Sequence, residues 1–179
     1  LEKVVEQCGL NEDQLNRYYL LLETLGNRPY LFGDDIYAIP GAGSAGYDDY
    51  DIPGEALTNE RFANMMREAE KYLGYPYVWG GSSPSTSFDC SGFVSWVINH
   101  CGNGWNVGRQ TASGLKNLCQ MVPPSQTQAG DLIFFEGTYD SLGPISHVGI
   151  YVGNGMMIHC GNPISYANIN TSYWQEHFY

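Results

Sequence analysis

The sequence predicts a fold of the α+β class, in which helices come first along the chain and antiparallel strands follow. Three observations support this prediction. Apolar residues recur at helical spacing before Pro123 and Pro124, and short apolar runs separated by turn residues follow these two prolines. The 179 residues include 22 glycines and 9 prolines, which favours strands and turns over a helical bundle.

The helical pattern marks five segments, at 11–25, 59–73, 88–99 and 109–118, with the start of another helix in 172–179. The segment 59–73 has the clearest ends, because Thr58 or Asn59 can cap its first turn and Gly74 can terminate it. Its buried face is predicted to consist of apolar residues at helical spacing, namely Phe62, Met65, Met66, Ala69 and Leu73.

The strand pattern marks four segments, at 131–135, 147–152, 156–159 and 166–169. The sequence Gly153-Asn154-Gly155 predicts a tight hairpin turn between the second and third strands, because Asn and Gly tolerate positive φ. With the turn centred on Asn154, His147 pairs near residue 161, one or two positions from His159. We therefore expect the two imidazoles on neighbouring strands at the same end of the hairpin.

Composition divides the chain into two parts. Residues 33–55 are rich in glycine, proline and aspartate and predict a long surface loop or connection. We therefore expect an N-terminal accessory or linker region at 1–57, consisting of a helix and this loop, and a separate domain at 58–179. The chain begins in the middle of a helical pattern, so we expect it to be a piece of a longer protein.

The charge balance excludes several kinds of partner. The chain has 8 Lys and Arg against 19 Asp and Glu, a net charge of −11, which disfavours binding to nucleic acids or to anionic membrane surfaces. No apolar run approaches the ~18 residues of a membrane span. The five cysteines contain no C-x-x-C pair, which argues against a structural zinc site, and we predict neither a metal nor an organic cofactor.

The strongest candidate for chemistry is Cys90, in the sequence Ser87-Phe88-Asp89-Cys90-Ser91-Gly92. It lies in the first turn of an apolar helix, where unpaired backbone N–H groups and the helix dipole favour a thiolate. The same N–H groups could hold a developing oxyanion. The alternative is a buried, inert core cysteine, but the polar, glycine-flanked surroundings favour the nucleophile.

A nucleophilic cysteine needs a base, and the predicted hairpin supplies two imidazoles. Either His147 or His159 can take the thiol proton while the other orients it, as in other Cys–His–polar triads. The alternatives are two unrelated structural histidines, or a Cys–His–His metal site with an open coordination position.

Five segments together resemble the NlpC/P60 cysteine peptidases, over roughly residues 63–179. They are Tyr77-Val78-Trp79-Gly80-Gly81, Asp89 to Val94, Gly130 to Phe135, Ser146 to Gly153, and Met157-Ile158-His159. The resemblance implies a papain-like α+β fold, with the nucleophile helix packed on an antiparallel sheet. It also implies an exported enzyme of the cell wall that hydrolyses peptidoglycan stem peptides, usually between γ-linked D-glutamate and the following diamino acid, without a cofactor.

The same resemblance implies roles for individual residues. Cys90 matches the nucleophile, His147 the base and His159 the third polar residue that orients the base. The remaining matches are substrate-binding positions: Tyr77 lines the cleft, and Asp89, Ser91 and Ser146 contact the N-terminal side of the substrate.

The sequence also departs from the family pattern. Cys160 stands where the family more often has alanine, and Leu142-Gly143-Pro144-Ile145 is an insertion before Ser146. Residues 1–57 lie outside the usual domain and resemble regions that precede it in cell-wall hydrolases of conjugative elements. In such proteins a lysozyme-like domain commonly lies upstream, and we expect one in the parent protein.

Two other functions fit the same residues. An amidase or acyltransferase could use the same cysteine and histidines on a different amide, because the attacking groups are shared. A non-catalytic wall-binding domain is the second alternative, although the intact Cys90, His147 and His159 favour chemistry.

Overall fold

The computed structural model describes residues 50–139 and 143–179. The predicted helix at 11–25, most of the predicted loop at 33–55, and Leu142 of the insertion lie outside the described residues.

The described part of the chain has an α+β fold, as predicted. Its helices and strands follow one another as α1 (Glu60–Ala69), β1 (Ser82–Ser83), β2 (Ser87–Phe88), α2 (Cys90–His100), α3 (Ala112–Leu118), β3 (Leu132–Phe135), β4 (His147–Gly153), β5 (Met156–Cys160), β6 (Ile164–Asn168) and α4 (Ser172–Glu176). Short 3₁₀ turns lie at Ala56–Thr58, Glu70–Tyr72 and Pro124–Gln126.

Helix α1 begins and ends as its sequence predicts. The Asn59 side chain accepts hydrogen bonds from the backbone N–H groups of Arg61 and Phe62, which have no partner within the helix. A 3₁₀ turn extends the helix, and Gly74 follows with a φ of 82°, a conformation that favours glycine. The predicted apolar face is buried except at Leu73, which is partly exposed.

Two boundaries differ from the prediction around the nucleophile helix. Helix α2 begins at Cys90 rather than at residue 88, because Phe88 pairs with Ser82 in a small hairpin and Asp89 caps the helix. Strands β1 and β2 thus lie in a segment where the sequence predicts no strand. Helix α3 begins at Ala112 rather than at residue 109, because the Thr111 side chain accepts a hydrogen bond from the Gly114 N–H.

Strands β3 to β6 form one antiparallel sheet in the order β3-β4-β5-β6. The predicted hairpin register is confirmed, because Gly149 pairs with His159 and Ile150 with Ile158. The turn between β4 and β5 has positive φ at Asn154 (52°) and Gly155 (72°). The last strand, β6, begins two residues earlier than predicted, at Ile164.

The sheet is covered on both faces. Alternate residues of β4 pack toward α1 and α2 in the main core, namely Val148, Ile150 and Val152. The opposite face forms a smaller core with helix α4, which contains Ile133, Phe135, Met157, Ala167 and Trp174. The nucleophile helix therefore lies on one face of the sheet and Trp174 on the other, which is a papain-like arrangement.

Helix α2 approaches the segment before β1 too closely for any side chain at Gly92. A Cβ at this position would overlap the carbonyl oxygen of Gly81, which is backbone and cannot rotate away. Gly81 in turn packs against the backbone of Ser87 and Phe88. These contacts fix the distance between the helix that begins at Cys90 and the segment that carries Tyr77.

We expect Gly92→Ala to lower the free energy of unfolding by about 1–3 kcal/mol, because the new methyl group must displace backbone. Gly54→Ala is the matched control, since a Cβ at Gly54 meets nothing within 4 Å. Urea unfolding of both variants checks this, and equal stabilities would contradict the close approach at Gly92.

Candidate active site

The carboxylate of Asp89 determines where helix α2 begins. Its Oδ1 accepts hydrogen bonds from the Gly92 N–H (2.7 Å) and the Ser91 hydroxyl (3.0 Å). Its Oδ2 accepts from the Gly80 N–H (3.1 Å) and from Nη2 of Arg109 (2.6 Å). One buried carboxylate thus joins the helix start, the segment before β1 and the chain after α2.

Cys90 is the first residue of this helix, and its side chain is buried against the sheet. The pKa of the thiol is raised to about 12, because burial and the negative charge of Asp89, which raise it, outweigh the backbone N–H of Val148 and the charge of Arg109, which lower it. The sequence argument from the helix N-terminus favours a thiolate, but burial outweighs it, so the resting group is a neutral thiol.

His147 and His159 lie together on the Trp174 side of the sheet. Nε2 of His147 is 2.9 Å from Nδ1 of His159, and both rings are buried. Burial lowers the pKa of His147 well below its usual value, with His159 adding to the effect, and lowers the pKa of His159 to about 3. Both imidazoles are therefore neutral near pH 7.

The chain brings the thiol and the imidazole pair to the same end of β4. The Val148 N–H that is directed at the Cys90 sulfur belongs to the residue after His147. Because Nε2 of His147 bonds to His159, Nδ1 is its remaining ring nitrogen and is the one that can take a thiol proton.

Tyr77 belongs to the same group. Its backbone pairs with Phe88, two residues before Cys90, and its N–H donates to Oδ1 of Asn162 (3.2 Å). Burial raises the pKa of the phenol well above its usual value, and the nearby Cys90 and Asp89 raise it further. The hydroxyl therefore stays protonated beside the thiol and can donate a hydrogen bond.

Ser91 and Ser146, two predicted substrate contacts, are buried and hydrogen-bonded within the protein. The Ser91 hydroxyl donates to Asp89 and accepts from Nη1 of Arg109 (3.0 Å). The Ser146 hydroxyl is within hydrogen-bond distance of Oγ1 (2.6 Å) and N (2.9 Å) of Thr138. Substrate contact by Ser91, Ser146 and Asp89 stays a prediction.

Three residues near the site were not among the predicted site residues. Arg109 forms the ion pair with Asp89, and its signal in the sequence is that it falls near a basic position of the family pattern. The Trp79 ring centroid lies 6.5 Å from that of Tyr77 and 5.4 Å from that of Tyr139. A row of three aromatic rings therefore runs from Tyr77 to the loop before β4. Trp79 could have been found from its place in the segment Tyr77 to Gly81, but Tyr139 has no comparable signal.

Cys160 lies on the helix side of the sheet, opposite to its neighbour His159. Its thiol donates to the backbone carbonyl of Phe88 (3.2 Å). Burial raises the pKa of the Cys160 thiol, and the nearby Cys90 raises it further. The residue that departs from the family pattern is therefore a neutral thiol packed behind the nucleophile.

Two kinds of feature are absent from residues 50–139 and 143–179. No three His, Cys, Asp or Glu side chains there are grouped so that they could hold a metal ion. None of the helices in this part of the chain is both long enough and apolar enough to cross a membrane.

A thiol at the start of a buried helix, beside an antiparallel strand that presents an imidazole, defines the class of papain-like cysteine peptidases. The chain belongs to the NlpC/P60 family, whose sequence model matches residues 74–179.

Relatives of known name share this part of the chain. The bifunctional muramidase/DL-endopeptidase CwlT of Bacillus subtilis is 42% identical over 117 residues, which cover 65% of this chain and 34% of that protein. The gamma-DL-glutamyl hydrolase of the same organism is 37% identical over 117 residues, which cover 63% of this chain and 27% of that protein. The chain thus spans about a third or less of these two curated relatives.

Solved structures agree with the fold. A Staphylococcus aureus protein described as similar to lipoprotein, NLP/P60 family, is 38% identical, with a TM-score of 0.64 over 76% of this chain and 42% of that chain. The peptidoglycan hydrolase RipB of Mycobacterium tuberculosis is 25% identical, with a TM-score of 0.54 over 94% of this chain and 84% of that chain.

The buried imidazoles make stability depend on pH. The pKa of His159 is about 3 in the folded protein against an ordinary 6.5, and that of His147 is also lowered, so below pH 6.5 the unfolded chain binds more protons. The free energy of unfolding should fall as the pH drops, by about 1 kcal/mol per histidine between pH 6 and pH 5. His159→Asn should remove about half of this loss in urea unfolding, and an unchanged slope would contradict two buried neutral rings.

The ion pair of Asp89 and Arg109 is nearly inaccessible to solvent, with side-chain exposures of 6% and 10%. We expect Arg109→Met to lower the free energy of unfolding by about 3–5 kcal/mol, because it leaves a buried carboxylate without its cation. The double variant Asp89→Asn, Arg109→Met should be more stable than the sum of the single changes predicts.

Lys71→Met is the matched control for this ion pair. The Lys71 side chain is 57% exposed in its pair with Glu68, so its replacement should cost less than about 1 kcal/mol. Chemical unfolding of all four variants checks both expectations, and strictly additive effects at Asp89 and Arg109 would contradict the coupling.

Proposed function

We propose that this domain is a peptidoglycan endopeptidase that cuts stem peptides between γ-linked D-glutamate and the following diamino acid. The observation that carries the proposal is the buried pair of His147 and His159, because the residue after His147, Val148, directs its backbone N–H at the Cys90 sulfur. The relatives named DL-endopeptidase and gamma-DL-glutamyl hydrolase support the choice of bond.

In the proposed reaction, the Cys90 sulfur attacks the carbonyl carbon of the scissile amide while its proton moves to Nδ1 of His147. Proton transfer accompanies attack because burial disfavours both the free thiolate and the free imidazolium. The backbone N–H of Cys90 and the hydroxyl of Tyr77 donate hydrogen bonds to the developing oxyanion.

The leaving amine then takes the proton from His147, and an acyl group remains bound to the Cys90 sulfur as a thioester. His147 next removes a proton from water, the resulting hydroxide attacks the thioester, and the carboxylic acid is released with the thiol restored. His159 holds the His147 ring in position throughout. No metal or organic cofactor takes part in these steps.

We propose that Tyr77 lines the cleft and that Asp89, Ser91 and Ser146 form the side that receives the N-terminal end of the stem peptide. The buried carboxylate of Asp89 supports this role, because it could attract a substrate amine where water is largely excluded. Thr138 would have to release the Ser146 hydroxyl before that residue could contact a substrate.

At the level of the whole protein, we propose that residues 58–179 form the catalytic domain and that residues 1–57 are an accessory or linker region. An upstream lysozyme-like domain in the parent protein is supported by the match to a third of a bifunctional muramidase/DL-endopeptidase. A peptidoglycan substrate implies an extracellular or cell-wall location. With a net charge of −11, adhesion to anionic wall polymers must come from cleft contacts or another module.

Purified protein should release the diamino acid from the tripeptide L-Ala-γ-D-Glu-diamino acid, or cut at the same bond in muropeptides, as read by mass spectrometry. Cys90→Ala should lower the rate by about a thousandfold or more. Cys101→Ala is the matched control, because this second buried cysteine lies at the other end of α2 and should leave the rate unchanged.

The products separate the proposal from its alternatives. Cleavage between sugar and peptide would indicate an amidase. Transfer of the acyl group to an amine instead of to water would indicate an acyltransferase. Either result would contradict the proposed hydrolysis of the D-glutamyl bond. Binding to wall fragments without turnover would indicate a non-catalytic domain and contradict the proposal as a whole.

A further inference from the structure

Three buried polar atoms without partners belong to His159 and to two side chains that neighbour it. Among residues 50–139 and 143–179, four buried side-chain nitrogen or oxygen atoms lack a hydrogen-bond partner: Nε of Arg109, Nε2 of His159, Oγ of Ser165 and Nε1 of Trp174. The last three belong to neighbouring residues, because Ser165 and Trp174 each lie next to His159.

The sheet register and the ring packing place Ser165 and Trp174 next to His159. Ser165 on β6 is the direct partner of His159 on β5, so the two side chains lie on the same face of the sheet. The Trp174 ring stands edge-on to His159 with centroids 5.3 Å apart and stacks on His147 at 5.5 Å. The exposed fractions of His159, Ser165 and Trp174 are 0%, 4% and 0%.

Unpaired polar atoms in such a setting are destabilising, and folded proteins rarely keep them. A cluster of them is commonly satisfied by one internal water molecule with two to four polar partners. Gly161 keeps this edge of the His159 ring open, because a Cβ there would lie 2.8 Å from Cε1 and 3.2 Å from Nε2.

The proposed reaction determines which nitrogen of the His159 ring must carry a hydrogen. If Nδ1 of His147 is to accept the thiol proton, the other nitrogen of that ring must carry its hydrogen and donate it to Nδ1 of His159. His159 then carries its own hydrogen on Nε2, which must donate to an acceptor. Nε1 of Trp174 is also a donor, whereas the Ser165 hydroxyl can donate or accept.

We propose that Ser165 and Trp174 are positioning residues of this active site, which hold the Nε2–H of His159 through one shared internal water. The water accepts hydrogen bonds from His159 and Trp174 and donates one to the Ser165 hydroxyl. This arrangement fixes the tautomer of His159 and, through it, keeps the Nδ1 lone pair of His147 available to Cys90. The inference rests on the proposed function insofar as His147 is the base.

The test compares Ser165→Thr, which keeps the hydroxyl, with Ser165→Val, which has the same shape and lacks it. Long-range ¹H–¹⁵N spectra of the histidine-labelled protein report which ring nitrogen carries hydrogen, and the His159 signals are assigned by their loss in His159→Asn. We expect a ring protonated at Nε2 in the wild type and in Ser165→Thr. Ser165→Val should show averaged tautomers and a kcat about tenfold lower at unchanged KM.

Trp174→Phe provides a second variant, because it removes the N–H donor and keeps an aromatic side chain at this position, although a smaller one. It should shift the His159 signals in the same direction as Ser165→Val. A wild-type His159 protonated at Nδ1, or identical spectra and kcat for Ser165→Thr and Ser165→Val, would overturn the proposal. Absence of turnover in the wild type would instead remove the proposed function, while the spectra still decide the hydrogen-bonding role of Ser165 and Trp174.

Discussion

The structure around the thiol depends on the hydrogen bonds and the ion pair of one carboxylate. Asp89 caps helix α2 through Gly92, holds the segment before β1 through Gly80, and pairs with Arg109 from the chain beyond the helix. Each interaction alone is modest, but all of them act on one buried group whose charge would otherwise be very costly. The position of Cys90, one residue further along, follows from this carboxylate.

Burial acts on the thiol and on the imidazoles in opposite directions. It contributes most to raising the pKa of Cys90 to about 12, lowers the pKa of His159 to about 3 and that of His147 well below its usual value, and so favours a neutral thiol and neutral imidazoles. A charged thiolate and imidazolium would both be destabilised in a region that excludes water. We therefore expect the thiol to react only when an amide is bound, because the carbonyl oxygen of the amide then takes the negative charge. The N–H of Cys90 and the hydroxyl of Tyr77 can donate hydrogen bonds to that oxygen.

Local chemistry made much of the fold predictable from the sequence. The hairpin register follows from Asn154 and Gly155, because the turn fixes the pairing and the two-residue period of a strand fixes the faces. The cap at Asn59 is equally local. Strands β1 and β2 were missed because two residues each are too few for a periodic pattern. The effect of burial on the Cys90 thiol could not be predicted, because the helix dipole is visible in the sequence whereas burial arises only from packing.

Trp174 covers the imidazole pair from the far side of the sheet, and it follows every other residue of the site along the chain. During synthesis Cys90 and both histidines are therefore added to the chain before the indole ring that stacks on His147. Since a domain generally folds as a unit, the imidazoles become dry and oriented only when helix α4 docks. The orientation of the base thus depends on a helix outside the sheet that carries both histidines.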